Sequence, residues 1–356
     1  MYITFLMPGL NRKPVGGYKI VYEYANRFVS DGYEVAIVFP VSIFFVKRDI
    51  FYKLRSVLVY LYARCFNLEK MSYKWFPLDK KIRLSIVPSL SERFVPKSDV
   101  YVATGVATSC YLNEYSNASN KYYFIQHFET WATPESFVLN TYQFKLKKIV
   151  IAPWLLDIVR SVGEEAQLIY NGLDFSYFRC YQSVERRNKF NIAVMYHKAT
   201  WKGFSDSYKA LQEVKIKFPQ LHVNVFGAEP CPIKLPSWFT YYLKPDQKTH
   251  NMIYNESAIY ISASFYEGFG LTVAEAMQCG CVVACTDNGG FRAMCKDGET
   301  ALLSPIKSPY QLADNIIKLI ADDELRYKLS RNALISIRKF TWESAYGKMK
   351  NLLTGC

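Results

Sequence analysis

Short, uninterrupted apolar runs alternate with stretches of three-and-four spacing along almost the whole of this sequence. Tyr2 to Met7 is the first run, ended by Pro8-Gly9, and Glu34 to Phe39 is the second. A strand that is apolar at consecutive positions has no face for water, which is the condition of a strand in a parallel sheet covered by helices on both sides. Between the two runs, Pro14-Val15-Gly16-Gly17 opens a segment with Ile20, Val21, Tyr24, Phe28 and Val29 on one stripe. That spacing predicts a helix ending near Asp31-Gly32. Strand, glycine turn, helix and strand within about 40 residues make a βαβ unit.

The alternation continues with runs at Ile82–Val87, Val100–Ala103, Tyr122–Gln126 and Ile149–Ala152, a helix over Trp154–Val162, and a closing run at Leu168–Tyr170. A polar, charge-rich patch, Tyr181 to Asn188, then interrupts it and reads as a linker. Strands are expected again at Ile192–Tyr196, His222–Phe226, Ala258–Ser262 and Val282–Cys285, and helices at Ser205–Phe218, Val273–Cys279 and Pro309–Ala321. With 356 residues to house, the chain is therefore expected to be α/β, with two doubly wound parallel-sheet domains over residues 1–182 and 183–340. A last helix over 341–356 is expected to pack back on the N-terminal domain.

Charge narrows the partners. Lys and Arg number 44 against 31 Asp and Glu, a net +13, and 16% of residues are aromatic, which suits phosphate-bearing ligands or an anionic surface. Between Phe44 and Arg83 ten basic residues face three acidic ones, so over half of the excess lies in that segment. On a helical wheel Ile50, Phe51, Leu54, Val57, Leu58, Leu61, Tyr62 and Cys65 share one face, bordered by Lys53, Arg55 and Arg64. Either this face packs on its own domain, or it meets a membrane surface with the basic residues reaching headgroups. The longest uncharged stretch near the start, Val35 to Val46, is too short to span a bilayer, and no basic leader or cleavage site precedes it. The nine cysteines form no C-x-x-C pair and read as reduced thiols. A cytoplasmic location, with peripheral attachment to the inner membrane face through residues 44–83, is the expectation.

Ser262 to Met277, SASFYEGFGLTVAEAM, is the most specific stretch. Glu267 and Glu275 stand eight apart around Gly268-Phe269-Gly270, between a strand end and a helix start. Glycines let the backbone approach a ligand, and N–H groups at a helix start favour an anion. A carboxylate one turn into the helix can accept hydrogen bonds from a diol. On spacing alone, two ordinary glutamates in a common strand-loop-helix join are the favoured reading.

This segment resembles the E-x7-E signature of retaining glycosyltransferases of classification family 4, which have the GT-B architecture of two Rossmann-like domains facing a central cleft. Asp287-Asn288-Gly289-Gly290, Asp297-Gly298-Glu299-Thr300-Ala301-Leu302-Leu303, Asn171-Gly172-Leu173-Asp174 and Gly16-Gly17 are similar to further motifs of that family, in the same order. The resemblance implies that Glu275 binds the ribose of a nucleotide-sugar donor and that Glu267 holds hydroxyls of its sugar. Amides around Gly268, Phe269, Gly270 and Leu271 would line the diphosphate, Lys202 would neutralise it, and Gly16-Gly17 would form the N-terminal glycine loop on the donor. His197 stands where the family has an arginine, and Ala293 where it has a glutamate. His127 matches a strand-end histidine near the transferred sugar.

Also implied are bacterial surface-polysaccharide assembly, with transfer of a hexose or deoxyhexose to a glycan or lipid-linked acceptor, and a mechanism without a protein nucleophile. No D-x-D occurs to hold a divalent metal on the diphosphate, so neither a metal nor another cofactor is expected. A nicotinamide dehydrogenase would need G-x-G-x-x-G after a strand, which neither 9–17 nor 191–202 supplies. A nucleic-acid binder would spread its basic residues along a groove, and here they cluster. A catalytically inactive partner subunit is the competing reading that His197 and Ala293 raise.

Overall fold

The computed structural model describes residues 1–11, 13–42, 50–66, 68, 75–131 and 133–355, the side chains at 50–54 and 56 excepted. The chain forms two compact units, Met1–Tyr170 with Ala345–Cys356, and Asn171–Ser344.

Among the described residues, seven strands make the sheet of the first unit: β1 (Tyr2–Leu6), β2 (Glu34–Pro40), β3 (Arg83–Val87), β4 (Val100–Ala103), β5 (Asn120–Ile125), β6 (Lys147–Val150) and β7 (Ala166–Leu168). Their order is β3-β2-β1-β4-β5-β6-β7 and every pairing is parallel. The helices are α1 (Gly16–Ser30), α2 (Ile50–Cys65), α3 (Val106–Asn113), α4 (Glu135–Tyr142) and α5 (Pro153–Ser161). The stripe read from the sequence, Ile20, Val21, Tyr24, Phe28 and Val29, is the buried face of α1. β7 forms two residues ahead of the expected run, because the pairing with β6 aligns Leu168 with Val150.

The second unit repeats the plan. Its strands β8 (Asn191–Tyr196), β9 (His222–Gly227), β10 (Phe239–Leu243), β11 (Ile259–Ser262), β12 (Val282–Thr286) and β13 (Leu302–Ser304) lie in the order β10-β9-β8-β11-β12-β13, again parallel. Helices α6 (Phe204–Lys217), α7 (Gln247–Glu256), α8 (Leu271–Gln278), α9 (Pro309–Ala321) and α10 (Asp323–Ile337) cover it. Both sheets thus run 3-2-1-4-5-6 through their first six strands, the doubly wound order of Rossmann folds.

The chain changes unit at Tyr170–Asn171, ahead of the 182/183 division expected from the polar patch. That patch is no solvated linker. The N–H groups of Tyr181 and Gln182 donate to Asn255 Oδ1 at 3.0 and 3.4 Å. Arg187, 6% accessible, donates to the carbonyls of Tyr254 and Ser257, both at 2.9 Å. These bonds bind 181–187 to α7. A final helix, α11 (Trp342–Thr354), returns from Ala345 onward to the first unit, where Tyr346 Oη and Lys350 Nζ each lie 2.7 Å from Asp31 Oδ2.

The described part of α2 bears on the choice its sequence left open. Val57, Leu58, Leu61 and Tyr62 are 52, 67, 52 and 56% exposed and Phe66 just beyond is 63% exposed, whereas among the described side chains of the helix Ala63, at 1%, is the buried one. Arg55, Arg64 and Cys65 are exposed as well. The apolar face therefore does not pack on its own domain at these positions. Lys47, Arg48 and the side chain of Lys53 lie outside the described residues.

Candidate functional site

In the second sheet β8 and β11 are neighbours, while the chain runs outward from β8 to β9 and from β11 to β12. Loops leaving the carboxyl ends of two such strands diverge, and the crevice between them is where ligands sit in open α/β sheets. The loop after β8 carries His197 to Gly203, and the loop after β11 carries Ala263 to Gly270. They are stitched together: the N–H of Phe265 donates to Trp201 O at 2.7 Å and Ser264 Oγ to Lys202 O at 3.4 Å.

That stitching brings two residues 65 positions apart into one ion pair. Lys202 Nζ lies 2.8 Å from both carboxylate oxygens of Glu267, with the side chains 23% and 11% exposed. An ammonium carries three donors, so holding Glu267 and holding a phosphate oxygen are compatible. Two glycines make the approach possible. Gly203 has φ +67°, and a Cβ there would lie 1.9 Å from the carbonyl oxygen of Ala263. At Gly290 a Cβ would lie 2.4 Å from Glu267 O.

Behind the loop, Thr286 Oγ1 and Asn288 Nδ2 donate to Ser264 O at 2.5 and 3.0 Å, and Asn288 Oδ1 accepts from the N–H of Phe291 at 3.1 Å. Thr286 and Asn288 were not read as site residues, although Asn288 stands in the Asp287–Gly290 turn that the sequence does show. Gly270 precedes α8 as its N-cap, so Gly268 to Leu271 bring main chain to the start of the helix. The Phe269 ring is buried against Phe340, centroids 5.5 Å apart, and serves the core. Glu275, 8% accessible, is the fifth residue of α8.

His197 Nδ1 accepts from the N–H of Ala199 at 3.0 Å, which puts its proton on Nε2. Burial, and then the Lys202 ammonium, hold its pKa below the ordinary 6.5. It therefore offers a neutral donor near pH 7, where the family's arginine would offer a charge. Lys198 instead meets Glu229 at 3.3 Å.

Gly16, Gly17 and His127 belong to the first unit. A Cβ on Gly17, near the start of α1, would touch the Gln126 side chain at 3.5 Å, so the glycine loop borders the segment that carries His127. The His127 ring lies 4.8 Å from that of Trp131 and 5.9 Å from that of Trp154, both edge-on.

Sequence reading passed over Glu129 in the same segment. Its Oε2 accepts from the N–H of Val106 at 3.2 Å, at the start of α3. Burial pushes its carboxyl up from the ordinary 4.5 to about 7, against the pull of that N–H. Nothing local in His127-Phe128-Glu129 signals this, because the burial comes from other elements.

A raised folded-state pKa means that the charged form is penalised in the fold. The contribution of Glu129 is thus fully present below pH 4.5 and lost as pH rises through about 7. Glu129→Gln is expected to be the more stable protein at pH 8, by up to roughly 3 kcal/mol, with the gain shrinking as pH falls toward 4.5. Urea unfolding at pH 5 and pH 8 measures this; a pH-independent difference would reject it.

Among the described residues no three His, Cys, Asp or Glu side chains are placed to hold a metal ion, and no helix is long and apolar enough to cross a membrane.

Residues 181–335 match the family model described as Glycosyl transferases group 1. Among curated proteins, the D-inositol 3-phosphate glycosyltransferase of Corynebacterium glutamicum is 33% identical over 100 residues, 28% of this chain and 24% of that one. The phosphatidyl-myo-inositol mannosyltransferase of Mycobacterium tuberculosis is 24% identical over 234 residues, 59% of this chain and 62% of that one. The chain spans about a quarter of the length of the first curated relatives it matches. Solved structures resemble it from end to end. Sucrose-phosphate synthase of Thermosynechococcus elongatus superposes with a TM-score of 0.74 at 14% identity, covering 99% of this chain and 98% of that one. HepE of Anabaena, solved in complex with UDP-glucose, gives 0.72 at 16% identity, with 100% of both chains covered. These likenesses establish the fold, two Rossmann-like units of the GT-B class.

Proposed function

We propose that this chain is a retaining, metal-independent glycosyltransferase that moves a hexose or deoxyhexose from a nucleotide-diphosphate sugar to a lipid-linked glycan acceptor, in the assembly of a surface polysaccharide. The observation that carries the reading is the Lys202–Glu267 pair at the switch point of the second sheet, ahead of α8 and the buried Glu275. A nucleotide sugar presents a ribose diol, a diphosphate and sugar hydroxyls. Glu275 suits the diol, Lys202 with the N–H groups at the start of α8 suits the diphosphate, and Glu267 suits the hydroxyls.

In the transfer, the bond between the anomeric carbon and the diphosphate oxygen breaks, and a bond to the acceptor oxygen forms on the same face. The acceptor's hydroxyl proton passes to the departing diphosphate. Charge grows on the leaving group, so Lys202 and the helix-start N–H groups stabilise the transition state more than the ground state. Neither glutamate acts as a nucleophile in this scheme. HepE, of the same fold, was solved with UDP-glucose, which supports a donor of this class.

Calorimetry with UDP, GDP and dTDP tests the donor assignment. Wild type is expected to bind at least one, and Glu275→Ala to bind it about tenfold more weakly or worse, the loss of charge-assisted bonds worth roughly 1.5–3 kcal/mol. Equal affinities would sink the role of Glu275.

A lipid-linked acceptor calls for an enzyme that works at a cytoplasmic membrane surface. Support comes from α2, whose outward face carries Val57, Leu58, Leu61 and Tyr62 between exposed Arg55 and Arg64. Such a helix lies in the headgroup region, where apolar side chains insert and each basic residue adds about 1 kcal/mol on an anionic leaflet. Leu58→Asp with Leu61→Asp is expected to cut binding to phosphatidylglycerol-containing vesicles at least tenfold at low salt and to leave nucleotide affinity unchanged. Undiminished vesicle binding in a flotation assay would refute the docking role of this face.

A further inference from the structure

One peptide group, that between Ser264 and Phe265, fixes the course of the chain two residues ahead of Glu267. Its carbonyl accepts from Thr286 Oγ1 and Asn288 Nδ2 at 2.5 and 3.0 Å, both in the turn that leaves β12. Its N–H donates to Trp201 O at 2.7 Å, in the loop after β8. A peptide group is planar and rigid, so bonds at both of its ends set its orientation as well as its place. Two side-chain donors on one carbonyl also engage both of its lone pairs.

The turn that supplies those donors is itself braced. Asn288, 7% accessible, commits its Oδ1 to the N–H of Phe291 at 3.1 Å, and Arg292 grips Asp287 with Nε and Nη2 at 2.5 and 2.6 Å. The N–H of Asp287 donates to Ser304 O at 2.7 Å, on β13. Gly290 then lies against Glu267, where a Cβ would stand 2.7 Å from that of the glutamate. Apart from Thr286 Oγ1, at 3.4 Å, the Asn288 side chain bonds only to main chain among the described residues. What it does for Glu267 it therefore does through the backbone.

We propose that Asn288 is a positioning residue for Glu267: through the Ser264–Phe265 peptide it aims the carboxylate at the hydroxyls of the donor sugar, so the turn after β12 sets how the sugar is held and leaves the nucleotide unaffected. The inference rests on the donor reading of this site and adds the residue that orients its sugar-facing carboxylate. A hydrogen bond weakens steeply as its angle departs from linear, so a carboxylate whose loop has lost one anchor meets the hydroxyls less well. Ribose and diphosphate are assigned to Glu275, Lys202 and the N–H groups at the start of α8, and the Asn288 side chain bonds to none of these.

Calorimetry and donor hydrolysis on the full chain test this, with UDP and UDP-glucose, GDP and GDP-mannose, and dTDP and dTDP-glucose as probes. Wild type is expected to bind at least one of these pairs. Asn288→Ala is expected to bind that free nucleotide within about twofold of wild type, to bind the nucleotide sugar at least fivefold more weakly, and to hydrolyse it at least tenfold more slowly. Thr286→Val, which removes the other donor on Ser264 O, is expected to act alike and carries the same comparison if circular dichroism shows Asn288→Ala unfolded. Thr286→Ser, which keeps the hydroxyl, is expected to stay near wild type. In a Glu267→Ala background, Asn288→Ala is expected to add less than about twofold to either loss, because nothing remains for it to aim. Equal weakening of nucleotide and nucleotide sugar, losses that multiply in the Glu267→Ala background, or wild-type hydrolysis by Asn288→Ala would each overturn the proposal. Failure of all three nucleotides to bind wild type would count against the glycosyltransferase reading instead.

Discussion

Gly203→Ala is expected to lower the stability of the second unit by about 4 kcal/mol or more, a fall in melting temperature of roughly 10 °C. Two costs add. A residue with a Cβ pays about 1–2 kcal/mol to hold φ at +67°. Its Cβ would also stand 1.9 Å from the carbonyl oxygen of Ala263, where backbone meets backbone and no side chain can swing aside. Relief requires the loop after β8 to move off the loop after β11, which would also part Lys202 from Glu267. Calorimetric unfolding with and without nucleotide measures both effects. A melting temperature within two degrees of wild type would show that these loops are not locked as described.

Lys202→Ala is expected to lower the turnover of donor transfer or donor hydrolysis by about 100-fold or more, equivalent to roughly 3 kcal/mol of transition-state stabilisation. The variant removes the cation that faces growing phosphate charge, and it leaves a Glu267 carboxylate, 11% exposed, without its ion-pair partner. Lys202→Ala with Glu267→Gln distinguishes the two effects. If the stranded carboxylate were the whole cause, the double variant would recover most of the activity; it is expected to recover less than tenfold. Turnover is expected to persist in excess chelator. Activity lost to chelator and restored by Mg²⁺, or a Lys202→Ala turnover within tenfold of wild type, would reject Lys202 as the group that meets the leaving charge.

Much of the architecture was legible because strands buried on both faces leave unbroken apolar runs. β1, β2, β4, β8 and β12 fall within two residues of where those runs stand. β10, Phe239-Thr240-Tyr241-Tyr242-Leu243, escaped although its residues are largely apolar; it is an edge strand whose middle residues are only partly buried. α3 and α4 escaped because they are eight-residue helices with weak stripes, and α7 and α10 because charged and amide side chains dominate their sequences. The polar patch at 181–188 looked like a linker because charge usually means water, whereas Arg187 is buried among carbonyls that the sequence does not place near it.

Sequence alone determined the period of each segment, the glycine positions and the E-x7-E spacing of Glu267 and Glu275, because all of these are local: a run of a few residues sets which side chains share a face and where the backbone can turn. Tertiary structure decided which loops meet. Lys202 and Glu267 form a pair because β8 and β11 are adjacent in a sheet whose order reverses between them, and strand order is a property of long-range pairing. It also decided that Val57, Leu58, Leu61 and Tyr62 of the amphipathic α2 face outward and that the half-buried Glu129 would meet the start of α3. Periodicity identifies a face, but only the elements packed around it determine whether that face meets protein or solvent.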